Sequence, residues 1–211
     1  MLRRLHRLRV SLLPLAVHVG SLVPLAILLW DFATDRLTAN PIQEVQLRTG
    51  RYALILLVLS LACSPVSRML RLPRVQSLRR PLGLYAFMYA GLHLLNFVAI
   101  DYGFDPGLIG EGIFEKRYVL LGFASFLALL PLAVTSTRGW MKRLGRNWQR
   151  LHWLVYLASV LAIAHFALQV KADLSRPVLF AVAVTVLMIA RLPVVRRTAN
   201  RFGGSLRRLL P

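Results

Sequence analysis

Apolar residues run through this chain in long blocks, and the charged residues are gathered between them. Six blocks stand out: Ser11 to Trp30, Gly50 to Ser64, Leu82 to Ile100, Tyr118 to Ser136, Leu151 to Val170, and Val178 to Ala190, the last extendable through Leu192 to Val195. A helix rising about 1.5 Å per residue needs about 20 apolar residues to cross about 30 Å of hydrocarbon. The pattern therefore predicts an all-α fold, a polytopic membrane helix bundle with six transmembrane helices in a single domain over residues 1–211. Gly50 to Ser64 and Val178 to Ala190 are short, so each needs its interfacial flank to span. Between the blocks, Asn40-Pro41 predicts a short helix on the membrane surface, Ser64-Pro65 a helix stop, and Gly107 to Gly112 (GLIGEG) a flexible turn. Val66 to Arg80 reads as a basic piece against lipid headgroups or as solvated loop. The fourth block holds Pro131, a candidate kink, and no ionisable residue, which marks it as scaffold. No internal repeat is visible.

Composition agrees, with 57% apolar residues and a mean hydropathy of +0.60. A net charge of +19 would point to nucleic acid in a soluble protein, but its distribution here points to a bilayer instead. Twenty of the 27 Lys and Arg fall at the N-terminus, in Arg68 to Arg80, in Arg138 to Arg150 and from Arg191 onward, which are alternate connections of the six-block pattern. All eight acids, Asp31, Asp35, Glu44, Asp101, Asp105, Glu111, Glu115 and Asp173, fall in the other connections. Lys/Arg-rich short loops stay cytoplasmic, so both termini are expected there, with Arg191 snorkelling to the inner surface. The eight acids then share the outer face, a candidate docking region for a soluble partner. Cys63 is alone, which excludes an internal disulfide, and no C-x-x-C-H haem-attachment motif occurs. The basic N-terminus and first block read as a retained span, because the block is about 20 residues long, contains His18 and lacks a small-x-small cleavage site.

The candidate chemistry lies in the histidines. His6 falls in the N-terminal tail, His18 in the inner half of the first block, His152 at the inner edge of the fifth, and His93 and His165 in the outer halves of the third and fifth. Imidazole in lipid is costly without a partner, and its neutral form is a good iron ligand. His93 and His165 share a depth, which suits a bis-histidine haem b or a hydrogen-bonded pair within the bundle. Zinc would want three or four ligands, and no third is placed at that depth. The thirteen residues between His152 and His165 span roughly 20 Å and leave the two about 140° apart in azimuth. A π-bulge between them, or haems at different azimuths, would let both face the interior.

Three segments carry a family resemblance: Leu144 to His165 (LGRNWQRLHWLVYLASVLAIAH), Arg79 to Phe97 (RRPLGLYAFMYAGLHLLNF) and Thr49 to Met69 (TGRYALILLVLSLACSPVSRM). They resemble the MsrQ (YedZ) family within the ferric reductase and NADPH oxidase transmembrane superfamily, and L-G-x-x-W-x-x-L-H is the most specific motif. The resemblance implies a bacterial inner-membrane electron-transfer subunit, itself without catalytic residues. Such a subunit passes electrons from the quinone pool through haem b to a periplasmic molybdopterin methionine sulfoxide reductase, for protein repair. It also implies FMN, although no flavin motif is present, and places the haem histidines on His93, His152 and His165. The wider superfamily carries two histidines on the third span. Here the position thirteen before His93 is Arg80, so an inner haem on His152 would need His18 or a water, and one or two haems remain open. Cytosolic FAD and NADPH domains are absent from the chain, so the donor is expected to be a membrane quinol or a separate flavin reductase. Two other readings compete: a stand-alone ferric or cupric reductase, and a transporter using the histidines as a proton relay.

Overall fold

The computed structural model describes residues 2–170 and 173–191, with side chains from residue 12 onward. The expected extension through Leu192 to Val195, the C-terminal tail and the side chain of His6 lie outside those residues. Among the described residues the secondary structure is entirely helical: α1 (Leu2–Ala33), α2 (Pro41–Met69), α3 (Pro73–Leu95), a π-helical turn (Asn96–Asp101), α4 (Pro106–Glu115), α5 (Arg117–Val134), α6 (Arg138–Leu144), α7 (Arg146–Leu151), α8 (Leu154–Gln169) and α9 (Ser175–Ile189). Five stretches are long and apolar enough to cross a membrane, namely Leu12–Ala33, Pro41–Met69, Pro73–Asp101, Arg117–Val134 and Arg146–Gln169. The chain is a multi-pass membrane protein. The sixth block forms α9, an apolar helix of 15 residues.

Several connections are more helical than their residues suggest. Asn40 does not start a separate surface helix. Its side chain accepts from the Gln43 N–H at 3.1 Å, capping α2, and Pro41 takes the first turn, where its missing N–H costs nothing. Pro65 lies inside α2, so the expected stop is absent and the helix runs on to Met69. α3 likewise begins at Pro73, so the second half of the basic connection is continuous with the third span. The GLIGEG segment is helix α4 rather than a flexible turn, because Asp105 accepts from the N–H groups of Gly107 (2.8 Å) and Leu108 (3.1 Å).

Gly145 separates α6 from α7 with φ +50° and ψ −121°, a conformation closed to side chains with a Cβ. That turn explains most of the L-G-x-x-W-x-x-L-H motif. It lets the Trp148 indole N–H donate to the Thr135 carbonyl at 2.9 Å, tying the loop to the end of α5. His152 then stacks on Trp148 with ring centres 3.8 Å apart.

α2 packs most extensively on α3, and α5 on α8. Small and hydroxyl residues let these helices close, as expected where lipid supplies no hydrophobic drive between them. Ser125 Oγ donates to the Ala158 carbonyl (2.8 Å), Ser60 Oγ to the Arg79 carbonyl (2.8 Å), and the buried Tyr89 hydroxyl to the Ser21 carbonyl (2.8 Å). The outside is apolar: Leu15 and Leu29 on α1 and Leu179 and Val182 on α9 are all exposed. In water that surface would be an aggregation hazard; in a bilayer it is the lipid face.

Candidate functional site

The structure brings His93 and His165 together. Their ring centres are 5.9 Å apart and their planes stand at 87°. Each imidazole is fixed from behind by a neighbouring helix. His93 Nδ1–H donates to the Gln46 carbonyl on α2 (2.9 Å), and His165 Nδ1–H donates to the Tyr118 carbonyl on α5 (2.6 Å). A carbonyl can only accept, so both rings carry their proton on Nδ1 and present a lone pair at Nε2, the usual way a second partner orients an imidazole for a metal.

Both carbonyls belong to helices, where the N–H four residues on already bonds them. Four residues after Gln46 stands Gly50, and four after Tyr118 stands Gly122. A Cβ built on Gly50 would lie 2.9 Å from His93 Cε1, and one on Gly122 would lie 2.7 Å from His165 Nδ1. Glycine at these positions is what lets an imidazole reach the carbonyl one turn earlier. In each half the carbonyl residue precedes its histidine by 47 positions, and carbonyl, glycine and histidine of the second half all lie 72 positions after those of the first. The α2–α3 and α5–α8 pairs are thus the same clamp used twice. The repeat escapes sequence inspection because it consists of register: QLRTG and YVLLG share only the glycine.

Between the clamps lies a cavity of about 550 Å³. Its walls include Leu54, Leu94, Phe123, Phe126 and Phe166, and its rim, at the acid-bearing end of the bundle, includes Arg51, Asp101 and Lys116. Gln46 is the polar side chain closest to the histidine pair. Its Nε2–H donates to His93 Nε2 (3.1 Å), while Asn96 Nδ2 donates to its Oε1 (2.7 Å) and to the Ile42 carbonyl (3.2 Å). Asn96 opens the π-helical turn, three residues after His93.

The arrangement fits haem iron. A metal–nitrogen bond of about 2.0 Å, with about 1.1 Å more to each ring centre, would set two imidazoles that share one metal about 6 Å apart. The observed spacing, the unprotonated Nε2 atoms, the apolar walls and the cationic rim all fit. The Gln46 bond to His93 Nε2 is one that ligation by that nitrogen would replace. Among the described residues no three His, Cys, Asp or Glu side chains converge on a point.

The other two intramembrane histidines are held elsewhere. His18 Nδ1 pairs with the Tyr85 hydroxyl (2.9 Å), and His152 Nδ1–H donates to the Trp148 carbonyl (3.0 Å). Neither lines the cavity, and among the described residues no hydrogen bond or ring contact joins them. No π-bulge separates His152 from His165. The helix is interrupted between α7 and α8 by a turn at His152 and Trp153, and the π-helical turn is on the third span.

A family profile described as "Ferric reductase like transmembrane component" matches residues 49–163, which takes in Gly50, His93, Gly122 and His152. The chain is 42% identical over 186 residues to a Caulobacter vibrioides protein named "Protein-methionine-sulfoxide reductase heme-binding subunit MsrQ", covering 88% of this chain and 89% of the relative. A protein of the same name from Xanthomonas axonopodis pv. citri is 43% identical over 178 residues, 82% of each chain. This chain belongs to the MsrQ family. The matched region takes in most of the four clamp helices, with Gln46 three residues before it and His165 two residues beyond it.

Sequence reading paired His93 with His165 by depth but took α5 for scaffold, missing Tyr118 and Gly122 beside them, and it missed Gln46, Gly50 and Asn96. The available signal was a glycine inside an otherwise apolar helix, which is weak by itself, since Gly20 and Gly91 sit in the same setting with open space around them. Gly122→Ala should push His165 off the Tyr118 carbonyl and destabilise the folded protein by about 1–3 kcal/mol. A helical melting transition in detergent unchanged from wild type would contradict that close contact.

Proposed function

We propose that this chain is the haem-carrying, electron-transferring membrane subunit of a methionine sulfoxide reductase system, in which His93 and His165 would hold one haem b. The observation that carries this reading is the pair of imidazoles lining one cavity, with ring centres 5.9 Å apart and each Nδ1–H held by a helix carbonyl; the haem-binding names of the relatives support it. When bound, such a haem would supply one-electron redox chemistry. The chain's own contribution is positioning. The Gln46 and Tyr118 carbonyls hold the Nδ1–H groups, the apolar walls exclude water, and Arg51 and Lys116 set positive charge at the rim. FMN is assigned to no residue.

In this reading the helices form six spans in the bacterial inner membrane, with the arginine-rich end and both termini cytoplasmic. At 15 residues, α9 extends about 22 Å and needs its flanks or local bilayer thinning to complete the sixth. The quinone pool or a flavin reductase supplies electrons, and a periplasmic molybdopterin subunit accepts them near the cavity rim.

His93→Ala and His165→Ala should each abolish the low-spin bis-histidine Soret spectrum of the detergent-purified protein. The ratio of haem to protein should be near one and unchanged in His152→Ala. Two wild-type spectra would overturn the ligand assignment. A ratio near two that halves in both His152→Ala and His18→Ala would place a second haem at the arginine-rich end.

Docking of the acceptor falls to the exposed acids. Arg48 ties up Asp31 and Glu44 in a paired cluster, which leaves Asp35, Asp101, Asp105, Glu111, Glu115 and Asp173 exposed. Asp173 is held below the ordinary carboxylate range by its side-chain and backbone hydrogen bonds with Ser175, so it stays charged. Electron delivery to the purified acceptor should slow as salt rises, because screening acts over about 8 Å at physiological ionic strength, and should weaken in Glu111→Lys. Indifference to both would remove the acids from docking.

A further inference from the structure

His18 is the one histidine among the described residues that is exposed. It stands six residues, about 9 Å, inside the apolar stretch that begins at Leu12 on α1. Leu15 and Leu22, three residues before it and four after, share its face of the helix and are exposed too. The imidazole therefore faces lipid. Its Nδ1 meets the Tyr85 hydroxyl of α3 at 2.9 Å, with ring centres 5.6 Å apart and planes at 71°. Among the described residues its Nε2 has no partner.

Holding α1 against α3 does not require this pair, because the buried Tyr89 hydroxyl, one turn further along α3, already donates to the Ser21 carbonyl of α1 (2.8 Å). An imidazole turned to hydrocarbon is costly, and one bond to a hydroxyl offsets that cost only in part while the second nitrogen stays bare. The pair can also reverse. When Nδ1–H donates to the tyrosine oxygen, Nε2 presents a lone pair; when the tyrosine O–H donates to Nδ1, Nε2 carries the proton and donates. A nitrogen that accepts in one state and donates in the other suits a ligand oxygen that does the opposite. The hydroxyl of a hydroquinone donates, the carbonyl of the corresponding quinone accepts, and with an apolar tail both forms dissolve in the layer that His18 faces. A lipid phosphate matches neither the depth nor the reversal, since it stays at the headgroups and only accepts.

We propose that His18 and Tyr85 form a binding site, open to the bilayer between α1 and α3, for a membrane-borne hydroquinone and its quinone. One ring oxygen bonds to His18 Nε2, Tyr85 sets the tautomer of the imidazole, and the ring rests on the apolar flank of Leu15 and Leu22 with its tail in lipid. Tyr85 lies eight residues before His93 on α3, about 12 Å along the helix, so the bound ring is less than half the hydrocarbon thickness from the histidine pair along that axis. The site rests on the quinone pool as the electron donor, as proposed above, and gives that donor a place.

The full-length protein in nanodiscs tests this with decylubiquinone and an azido-ubiquinone photolabel. Irradiation should attach the label to residues of α1 and α3 around His18 and Tyr85, mapped by mass spectrometry, and excess decylubiquinone should displace it. His18→Leu should weaken that displaceable binding about tenfold, the effect of losing one hydrogen bond to the ligand. Tyr85→Phe, which keeps the ring and frees Nδ1, should weaken it as well. Labelling needs no haem, so it decides the site separately from the function proposed above. In haem-loaded protein, decylubiquinol should reduce the wild type faster than either variant, dithionite should reduce all three alike, and the Soret spectrum of His18→Leu should match the wild type. Displaceable labelling at His18 without reduction by decylubiquinol would keep the site and count against the proposed donor. If a variant does not fold, displacement from the wild type decides. Label that falls elsewhere or is not displaced, equal binding by folded His18→Leu, or a Soret change in that variant would each overturn the site.

Discussion

An imidazole placed in the apolar interior of a membrane protein must put its N–H somewhere, and here both interior sites solve this with a helix backbone carbonyl. The carbonyls of Gln46 and Tyr118 are already engaged in their own helices, so each accepts a second bond, and the approach is open only because Gly50 and Gly122 carry no side chain. That one requirement sets the rest of the site. It fixes which helices pair closely, α2 with α3 and α5 with α8. It fixes the protonated nitrogen of each ring and therefore which nitrogen is free to ligate. Both histidines line the same cavity.

Using the same clamp twice, with a constant offset along the chain, gives the bundle an internal likeness in which the two histidines are equivalent. The departure from that likeness is informative. Advancing Arg80 by the same offset reaches His152, so the halves match at the acid-bearing end and differ at the arginine-rich end. There His152 bonds the Trp148 carbonyl, His18 bonds Tyr85, and Arg79 and Arg191 gather on α2. The two ends of the membrane domain are built for different chemistry.

Much of this was legible in the sequence because membrane solvation writes itself in blocks. The apolar runs located the spanning helices, and depth along those runs paired His93 with His165. What stayed hidden was local and backbone-borne. Pro41 and Pro65 read as a boundary and a stop, but a proline in a first turn loses nothing, and Pro65 is carried within a helix that neighbouring packing sustains. The GLIGEG run reads as a turn by its glycines, yet one carboxylate, Asp105, caps it into helix. Carbonyl acceptors such as those of Gln46 and Tyr118 have no residue signature, so the clamps could be inferred only from their glycines. Arg191 reads as a snorkelling terminal cation, and only its contacts with Leu61 and Tyr156 show it turned inward.

The central claim is that His93 and His165 hold one haem between them in the orientation their helices impose. Electron paramagnetic resonance of the oxidised, haem-loaded protein tests it most directly, since the signal of low-spin ferric haem reports the angle between its axial imidazole planes. Planes standing at 87° should give the strongly anisotropic low-spin signal of near-perpendicular imidazoles. A rhombic signal of the parallel-plane type, or a predominantly high-spin signal, would contradict the account.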